Sequence, residues 1–418
     1  MSDADGLQLD GLRRRNAAAV LRAVRTRGPL SRTEIALAVG LSPTAVTKIT
    51  ADLVRAGFIG ETRDPVPAAR EPGRPRVPVE LDRTRHRFVG VHIGLRRVTV
   101  GLVDLGGEVV AQRARAHGAA TRPGSVIARA RRLVEEVLAQ DGAGPGQVLG
   151  YGACSGGWVL PETGVVRELP GLGWRDVALR DGLRIDGLPE PAVDSSVRAL
   201  ALAEARGGAA QGVDDVLYVF AGNVIGCAHV LGGRVARGRN AAAGTIDHLA
   251  GFGGARAGDP CSCGRGGCLR AVAGDAAVLA AAQEAGLVPA GALIEDLAAV
   301  ARGDSAHAAA ADALLAERAR RIGAAIGALL DLFDPEVVVV GGGVRLALEH
   351  FDGLVAAARE HCTLPHEETP VRPAALVGPS SLIRGAAAPA LDAFYSDPLA
   401  AVRARVDAAN DRMADSAG

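Results

Sequence analysis

Residues 31–59 read SRTEIALAVGLSPTAVTKITADLVRAGFI, and this stretch decides the fold of the N-terminal part of the chain. Ser31 is followed three residues later by Glu34, a capping-box pair that predicts the start of a helix. Ser42 and Pro43 predict the start of another helix, because proline at the first helical position gives up no hydrogen bond. Two helices separated by so short a turn are typical of a helix-turn-helix.

The flanking residues indicate a winged form of this motif. Residues 16–27 have apolar side chains at helical spacing and predict a preceding helix, which a Gly-Pro pair ends. Phe58 and Ile59 begin a short strand, and residues 64–78 are rich in proline and arginine, as expected for a wing or a linker. The sequence therefore predicts a winged helix-turn-helix DNA-binding domain, with its linker, over residues 1–85.

In a helix-turn-helix the second helix of the motif lies in the major groove, where its N-terminal side chains contact base edges. That helix is predicted over residues 43–56, with Val46, Ile49 and Leu53 on its buried face. The opposite face carries small hydroxyl and methyl groups and the only lysine of the chain, which suit contacts with bases and phosphates. An ordinary three-helix packing unit is the alternative. The predicted DNA-binding residues of this segment are Ser42, Thr44, Ala45, Thr47 and Lys48.

A further candidate DNA contact lies in Gly73-Arg-Pro-Arg76, just after the predicted strand. An arginine held extended by proline can enter a narrow, A·T-rich minor groove. A charged linker without DNA contacts is the alternative. On the first interpretation, Arg74 and Arg76 are additional DNA-binding residues.

The charge distribution supports an anionic partner for the N-terminal module. The whole chain has 47 basic and 47 acidic residues, but residues 11–90 hold 16 basic against 7 acidic. The residues after position 90 hold 31 basic against 37 acidic. Such a basic module on a mildly acidic body favours a nucleic-acid partner, with chance asymmetry between solvated surfaces as the alternative.

Composition bears on protein class and location. Hydrophobic residues make up 48% of the chain and charged residues 22%, which is typical of a globular protein. The sequence has no apolar stretch of ~18 residues that would predict a membrane span. Asp3 and Asp5 stand near the start, where a signal peptide would have its apolar core. We therefore expect a cytoplasmic protein without a membrane partner.

From Phe88 onwards, short apolar strands alternate with helices. The predicted strands lie at 88–91, 98–103, 109–110, 149–153, 216–220 and 337–340, and the predicted helices at 125–139, 196–206, 275–284, 290–302 and 306–333. This alternation, in two hairpin-rich halves, predicts an α/β body with two lobes. The predicted body spans 86–396, with lobe I at about 86–195 plus the C-terminal helix, lobe II at about 196–372, and a disordered tail at 397–418.

Three of the six cysteines fall in Cys261-Ser-Cys-Gly-Arg-Gly-Gly-Cys268, a glycine-rich stretch. Thiolates at positions i, i+2 and i+7 can converge on one cation, and a histidine 13 residues upstream offers a fourth ligand. Three thiolates and one imidazole form the closed tetrahedral set of a structural zinc site, which leaves no open position for hydrolytic chemistry. A disulfide pair is the alternative. The predicted ligands of a structural Zn²⁺ are His248, Cys261, Cys263 and Cys268.

The combination of these motifs resembles the ROK family, which groups transcriptional repressors with sugar kinases on a two-lobed, actin-like fold of the ribonuclease H type. The resemblance covers about residues 15–395. Its most specific part is His248 with CSCGRGGC, which is similar to the family's zinc signature of a histidine followed by CxCGxxGC. The helix-turn-helix with a GRP wing is similar to the repressor branch, of the Mlc, NagC and XylR type. Residues 169–174, 199–204 and 334–343 are similar to further family stretches.

The phosphate-binding loops depart from those of the family's kinases. Where the kinases have DIGGTK, this chain reads HIGLRR at 92–97, and where they have GTGIG it reads GNVIG at 222–226. Bulky Leu95 and Val224 would block the close approach of the backbone to a phosphate. The resemblance to the kinases therefore does not extend to ATP binding.

The residues for the sugar and for catalysis are altered as well. Ser196 stands where the family's END segment supplies the aspartate base, and an unassisted serine is no general base near neutral pH. Thr245 and Arg270 stand at the positions of two sugar-contacting glutamates, and His248 alone remains of the usual polar sugar contacts. We therefore predict no catalytic residues and no enzymatic activity.

The sequence thus predicts a DNA-binding transcriptional regulator, a repressor, that binds a double-stranded operator with an inverted repeat as a homodimer or tetramer. Its body would serve oligomerisation and bind a sugar or another metabolite effector, which would connect the protein with carbohydrate metabolism. One alternative is a ROK sugar kinase with a fused DNA-binding domain. Another is a body that acts purely as a dimerisation scaffold without a ligand.

Overall fold

The structure is a computed structural model that describes residues 3–62, 77–118, 121–251, 261 and 263–401. The chain forms two compact units. The first unit comprises Met1–Ala153, Ala178–Val193 and Ala386–Gly418, and the second comprises Cys154–Val177 and Asp194–Gly385.

The first unit begins with three helices and a two-stranded ribbon: α1 (Asp3–Arg27), α2 (Arg32–Val39), α3 (Pro43–Arg55), β1 (Ile59–Glu61) and β2 (Val79–Leu81). The Glu34 N–H donates to Ser31 Oγ at 3.3 Å and the Glu34 carboxylate accepts from the Ser31 N–H at 2.7 Å, which confirms the predicted capping box. Gly40 has a φ of 65° and ends α2 at the tight turn. The ribbon is antiparallel, and the predicted winged helix-turn-helix is confirmed.

The first helix is longer than its sequence pattern predicts. It starts at Asp3, whereas apolar side chains at helical spacing begin only at residue 16. Burial also begins late, because Leu12 is 49% exposed and Ala17 is the first fully buried side chain described. A helix without an apolar face gives no periodic signal, so its first turns escape prediction.

The chain then builds a five-stranded sheet around a long helix: β3 (Arg87–Ile93), β4 (Arg97–Val103), β5 (Val109–Ala116), α4 (Pro123–Asp141) and β6 (Val148–Ser155). A separate three-stranded sheet follows, with β7 (Trp158–Leu160), β8 (Val165–Leu169) and β9 (Trp174–Ala178), and all but its last residue belongs to the second unit. The helix α5 (Leu179–Leu183) and the strand β10 (Pro191–Ser195) come next. The strand order of the large sheet is β10-β6-β3-β4-β5, and α4 buries Val126, Leu133 and Val137.

The second unit contains the remaining elements: α6 (Ser196–Gly207), β11 (Asp215–Ala221), β12 (Ile225–Leu231), β13 (Arg234–Val235), α7 (Leu269–Ala273), α8 (Asp275–Glu284), α9 (Ile294–Ala301), α10 (Ala308–Phe333), β14 (Val337–Gly342), α11 (Phe351–His361), β15 (Val371–Pro373) and α12 (Gly378–Ser396), of which the last continues into the first unit. Its sheet has the order β13-β12-β11-β14-β15, with β11 and β14 parallel. Val219 and Val340 in these central strands are buried, as are Ile322 and Ile326 of α10 in the same core. Two helix-covered five-stranded sheets confirm the α/β, actin-like body.

The winged helix-turn-helix packs directly on the large sheet of the first unit. The Phe394 ring of α12 meets the Phe58 ring edge-on at 4.9 Å between centroids and the Phe88 ring of β3 at 5.5 Å. Phe58 and Phe88 are fully buried. Residues 1–153 therefore fall in one compact unit, and the division of the chain at residue 85 stays a prediction.

Helix lengths in the described residues also bear on membrane insertion. No single helix there is both long and apolar enough to cross a membrane. The bent pair of α2 and α3, at 113° to one another, meets both conditions only when the two helices are taken together.

Candidate functional site

The helix α3 exposes the side chains that the sequence predicts to contact DNA. Val46 and Leu53 are fully buried and Ile49 is 8% exposed, so the predicted inner face of the helix is confirmed. The residues on the other side are exposed, with Ala45 only partly so: Ser42, Thr44, Ala45, Thr47 and Lys48. That they contact DNA stays a prediction.

Hydrogen bonds within α3 define the chemistry of its outer face. Ser42 Oγ accepts from the Ala45 N–H at 3.3 Å and caps the helix. Thr47 Oγ1 donates to the Pro43 carbonyl oxygen at 2.8 Å. Its proton is therefore used inside the helix, and the side chain presents an acceptor lone pair and a methyl group. Such a group suits the amino groups of adenine or cytosine and the methyl group of thymine.

The second half of α3 is anchored to the rest of the first unit. The His86 ring contacts the Ala56 carbonyl oxygen through Nε2 at 3.0 Å. Arg13 pairs with Asp52 at 3.0 Å, and the Arg32 side chain donates to Thr50 Oγ1 at 3.3 Å. The polar contacts that position α3 thus lie on its second half, whereas the outer face near its start is exposed to solvent.

The wing arginines cannot be placed in the same way. Arg74 and Arg76 lie outside the described residues. The segment that contains them joins β1 to β2, which pair with each other. That Arg74 and Arg76 contact DNA stays a prediction.

The structure brings the four predicted metal ligands together. His248 Nδ1 lies 3.4 Å from Cys261 Sγ, and Cys263 Sγ lies 3.5 Å from Cys268 Sγ. The four ligand atoms all lie within 4.8 Å of one another. One nitrogen and three sulfur donors at this separation can surround a single cation. All six cysteines are free thiols, so the alternative of a disulfide pair is not supported.

Backbone geometry shapes this cluster. The Cys261 N–H donates to the Arg265 carbonyl oxygen at 3.0 Å, and the Gly264 N–H donates to the Cys261 carbonyl oxygen at 2.9 Å. These two bonds close a tight turn. Gly264 has a φ of 82°, a conformation that glycine adopts without strain. A backbone hydrogen bond from Arg265 lowers the pKa of the Cys263 thiol to about 6. The thiolate form that binds metals is therefore favoured near neutral pH.

The glycine triplet after β14 is occupied by the protein's own groups. The sequence alone indicates a loop that approaches a ligand, but an added Cβ at Gly341 would lie 2.2 Å from the Tyr218 hydroxyl. At Gly342 it would lie 2.3 Å from the Ala221 carbonyl oxygen. The glycines at 341 and 342 are therefore required by internal packing.

Gly343 makes room for a buried ion pair. An added Cβ there would lie 2.9 Å from Arg318 Nη1. Arg318 pairs with Asp275, and its side chain is 2% exposed. It also donates to the carbonyl oxygens of Ala273 at 3.0 Å and Ala221 at 3.2 Å. A guanidinium group thus lies against Ala221, directly before residues 222–226, which stand at the position of the second kinase phosphate loop.

The first of these loops is altered in a similar way. His92 stands at the position of the kinase aspartate, and burial lowers the pKa of its imidazole to about 4. An added Cβ at Gly94 would lie 3.1 Å from the His92 ring. A neutral ring therefore fills this loop at physiological pH, where the kinases have a carboxylate.

A second buried ion pair lies where the resemblance places the sugar. Asp194 accepts from Arg198 Nε at 2.6 Å, from Arg237 Nη2 at 3.1 Å and from the Ser195 N–H at 2.7 Å. The side chains of Asp194 and Arg198 are each 5% exposed. With three donors already bound, this carboxylate is poorly available to a sugar hydroxyl. Ser196, at the position of the family's base, is buried as well.

Arg198 also fixes the loops around it. Its Nη1 donates to the Ala241 carbonyl oxygen at 2.8 Å and its Nη2 to the Val159 carbonyl oxygen at 2.9 Å. The Trp158 indole N–H donates to the Asn240 carbonyl oxygen at 2.7 Å and holds the same loop. The loop after β13 is thereby held by side chains from two other segments.

Sequence reasoning did not identify Arg198 or Arg318. A signal existed, because each interrupts an apolar helical face: Arg198 shares its face with Ala201 and Leu202, and Arg318 shares its face with Leu315 and Ile322. An arginine in such a position has to be paired when it is buried. The partners themselves are distant in sequence, so the pattern does not reveal them.

Comparison with known proteins places the chain among regulators and kinases. The ROK family model matches residues 88–393, and the MarR family model matches residues 15–66. Rv0485, a transcriptional regulator of Mycobacterium tuberculosis, is 34% identical over 428 residues that cover 96% of this chain and 90% of the relative. The DNA-binding transcriptional dual regulator NagC of Escherichia coli is 27% identical over 372 residues that cover 85% of this chain and 86% of NagC.

The solved structures that resemble this chain also include both a regulator and a kinase. A ROK family transcriptional regulator that is a homologue of the Escherichia coli Mlc protein is 28% identical, with a TM-score of 0.75 over 93% of this chain and 98% of that one. A ROK family glucokinase from Streptomyces griseus, in complex with glucose and AMPPNP, is 26% identical. Its TM-score is 0.61, and the match covers 72% of this chain and 98% of the glucokinase. The regulator therefore matches over a larger share of this chain than the kinase does.

The buried pair of Asp194 and Arg198 leads to a prediction about stability. Asp194→Asn keeps the shape of the side chain but leaves a buried guanidinium without its counter-charge. We expect the free energy of unfolding of the second unit to fall by about 3–5 kcal/mol, as measured by urea denaturation.

The exposed pair of Arg175 and Glu168 serves as the control, at 3.0 Å with 79% and 42% of the two side chains exposed. Glu168→Gln should lower the free energy of unfolding by less than about 1 kcal/mol. Equal, small effects of the two substitutions would show that Asp194 does not hold a buried charge.

Proposed function

The chain belongs to the ROK family and is one of its transcriptional regulators, and we propose that it represses transcription by reading an operator with α3. The observation that carries this proposal is the exposed outer face near the start of α3, on a helix whose inner face is buried and whose second half is anchored by polar contacts within the first unit. Its side chains offer hydroxyl oxygens, methyl groups and one ammonium group to the major groove. The MarR-type match over residues 15–66 supports the same role.

We propose that α3 and the wing contact different parts of the operator. Ser42, Thr44, Ala45, Thr47 and Lys48 contact bases or nearby phosphates. Arg74 and Arg76 contact the adjacent minor groove or its phosphates, which would favour A·T-rich flanks. The positive end of the helix dipole at the start of α3 would favour a nearby phosphate.

We propose that the chain binds an inverted repeat as a dimer. One helix-turn-helix buries too little surface for specific affinity, so the body has to bring two of them together. Half-sites would then be spaced by one or two helical turns of DNA, each roughly 34–36 Å. The body is also the part that would bind a metabolite effector.

We propose that the cluster of His248, Cys261, Cys263 and Cys268 holds one structural Zn²⁺. The donor set supports this metal, since zinc prefers nitrogen and thiolate ligands in a tetrahedron. Four protein ligands leave no position for a water molecule or a substrate. The ion would therefore stabilise the loop at 261–268 and take no part in a reaction.

The second candidate function is a sugar kinase, which the likeness to a ROK glucokinase favours. The saturated carboxylate of Asp194 and the serine at position 196 count against it, because neither removes a proton from a sugar hydroxyl near neutral pH. We therefore propose that the body has no kinase activity. The cytoplasmic location expected from the sequence stays a prediction.

The proposed reading of DNA is tested on an operator selected from genomic fragments with the full-length protein. Thr47→Ala and Lys48→Ala should each weaken binding to this operator by about 1–3 kcal/mol. On random DNA, Thr47→Ala should have a much smaller effect than Lys48→Ala. Titrations on operator and scrambled duplexes at several salt concentrations measure both effects.

Thr26→Ala is the matched control, because Thr26 is an exposed threonine whose hydroxyl donates to a helix carbonyl oxygen, that of Arg22, at 2.9 Å. It lies on α1, away from the proposed reading face, and should leave operator affinity unchanged. If Thr47→Ala and Lys48→Ala behave like Thr26→Ala, then α3 is not the reading helix.

The metal proposal predicts about one zinc ion per chain after purification under reducing conditions without chelators. Cys263→Ser should abolish zinc binding and lower the thermal stability of the second unit. Cys362→Ser, at a free cysteine outside the cluster, should keep the metal. Elemental analysis decides, and a wild-type protein without zinc would refute the proposal.

The kinase alternative is tested with ATP and a panel that includes glucose and N-acetylglucosamine. We expect no turnover above background in a coupled assay with a known hexokinase as positive control, since no general base is available. If the wild type shows turnover and Ser196→Ala abolishes it, the body is instead an active kinase.

A further inference from the structure

The outer edge of the large sheet in the first unit is strongly basic. Residues 94–132 hold eight arginines, and Asp104 and Glu108 are the only carboxylates in that range. Seven of the eight arginine side chains are exposed. They belong to the β3–β4 turn and the start of β4, to β5, and to α4 with the residue directly before it. Arg115 lies 3.6 Å from Glu136, across an exposed surface.

The register of β5 shows which backbone groups face outward. β5 is the last strand of the sheet and pairs with β4 in an antiparallel register. The His117 N–H donates to the Arg96 carbonyl oxygen at 2.8 Å, which makes this a hydrogen-bonded pair of the ladder. Because such pairs alternate, the backbone groups of Gln112, Ala114 and Ala116 point away from β4.

The acceptors on this edge are already used. Arg113 donates to the Gln112 carbonyl oxygen at 3.1 Å and Arg115 to the Ala114 carbonyl oxygen at 3.4 Å. Arg129 of α4 donates to the Ala116 carbonyl oxygen at 2.6 Å. A guanidinium group has five N–H donors, so each keeps further donors for a partner. The edge therefore presents donors and positive charge, with its outward carbonyl oxygens covered.

Such an edge selects its partner by chemistry. A second copy of the same edge would bring arginine against arginine and donors against donors, so strand pairing between two copies is unfavourable. A partner has to supply acceptors and negative charge. Carboxylate groups do both, and they bind arginine with charge-assisted hydrogen bonds.

The position of the edge argues against the operator as this partner. β5 begins beside the turn at Asp104, which pairs with Arg83 next to the wing strand β2 at 3.3 Å. Eight residues at about 3.3 Å each carry the strand roughly 25 Å from there to Ala116. The arginines cluster toward this far end, away from the helix-turn-helix that reads DNA.

We propose that the outer edge of β5, with Arg113, Arg115 and Arg129, is a docking surface for an acidic segment of a partner protein. The carboxylates of that segment accept from the guanidinium groups and from the outward N–H groups of Gln112 and Ala114. The contact is independent of operator binding and of any ligand in the body.

The test uses the full-length protein and a fluorescein-labelled peptide of six Glu-Thr repeats as the probe. Fluorescence anisotropy should show binding to this peptide but not to one of six Gln-Thr repeats. Arg113→Gln with Arg115→Gln should weaken binding about three- to tenfold. Ala114→Pro removes one outward N–H without changing charge and should weaken it as well, because proline is tolerated where the N–H faces solvent.

The matched control is Arg175→Gln with Arg234→Gln, which removes the same charge from exposed arginines of the second unit. It should bind the peptide like the wild type. All these variants should bind the selected operator with wild-type affinity. The peptide assay therefore tests the β5 edge independently of the proposal that α3 binds the operator.

Four outcomes would overturn the proposal. The first is equal binding of the Glu and Gln peptides. The second is peptide affinity that the β5 variant leaves unchanged, or that both double variants lower equally. The third is a β5 variant that loses affinity for a non-operator DNA duplex as much as for the peptide, which would make the edge a nucleic-acid surface. The fourth is a wild type that does not bind the peptide, together with a β5 variant that self-associates without peptide. This result would show that the arginines only prevent strand pairing at the exposed sheet edge.

Discussion

A buried guanidinium group keeps its positive charge, so the protein around it has to supply a carboxylate and carbonyl oxygens. The described part of the second unit contains two such groups, Arg198 and Arg318. The hydrogen bonds that they require hold several of its loops in place. Arg198 requires Asp194 and the carbonyl oxygens of Val159 and Ala241. These belong to the end of β10, to β7 and to the loop after β13, so one side chain of α6 contacts three other segments.

Arg318 has the same effect behind the parallel strands. Its contacts with Ala221, Ala273 and Asp275 join the end of β11 to the helices α7 and α8. The tight packing leaves no space for a side chain at Gly343, which lies against the guanidinium group. In a fold shared with sugar kinases, an internal ion pair thus lies beside the position of the second phosphate loop, and another lies at the position expected for the sugar.

Local signals explain what the sequence predicts correctly. The capping box of Ser31 and Glu34, the turn at Gly40 and the buried stripe of α3 each depend on residues a few positions apart, and each is confirmed. The metal cluster is nearly as local, because three ligands share one tight loop and the fourth lies 13 residues away. Such patterns are visible in a single sequence since the interacting groups are held together by the chain itself.

Interactions between distant residues explain what could not be predicted. The glycine triplet after β14 is typical of a ligand loop, and only the position of Tyr218 and Arg318 shows that the protein's own groups fill it. The Phe58–Phe394 contact joins residues more than 300 positions apart, so no pattern reveals it. This contact has a consequence for the proposed dimer. Because α12 holds the winged helix-turn-helix against the large sheet, the spacing of two recognition helices would be set by the dimer contact of the body. A chain with a flexible connection after residue 85 would instead tolerate variable half-site spacing, since a flexible linker samples a range of distances.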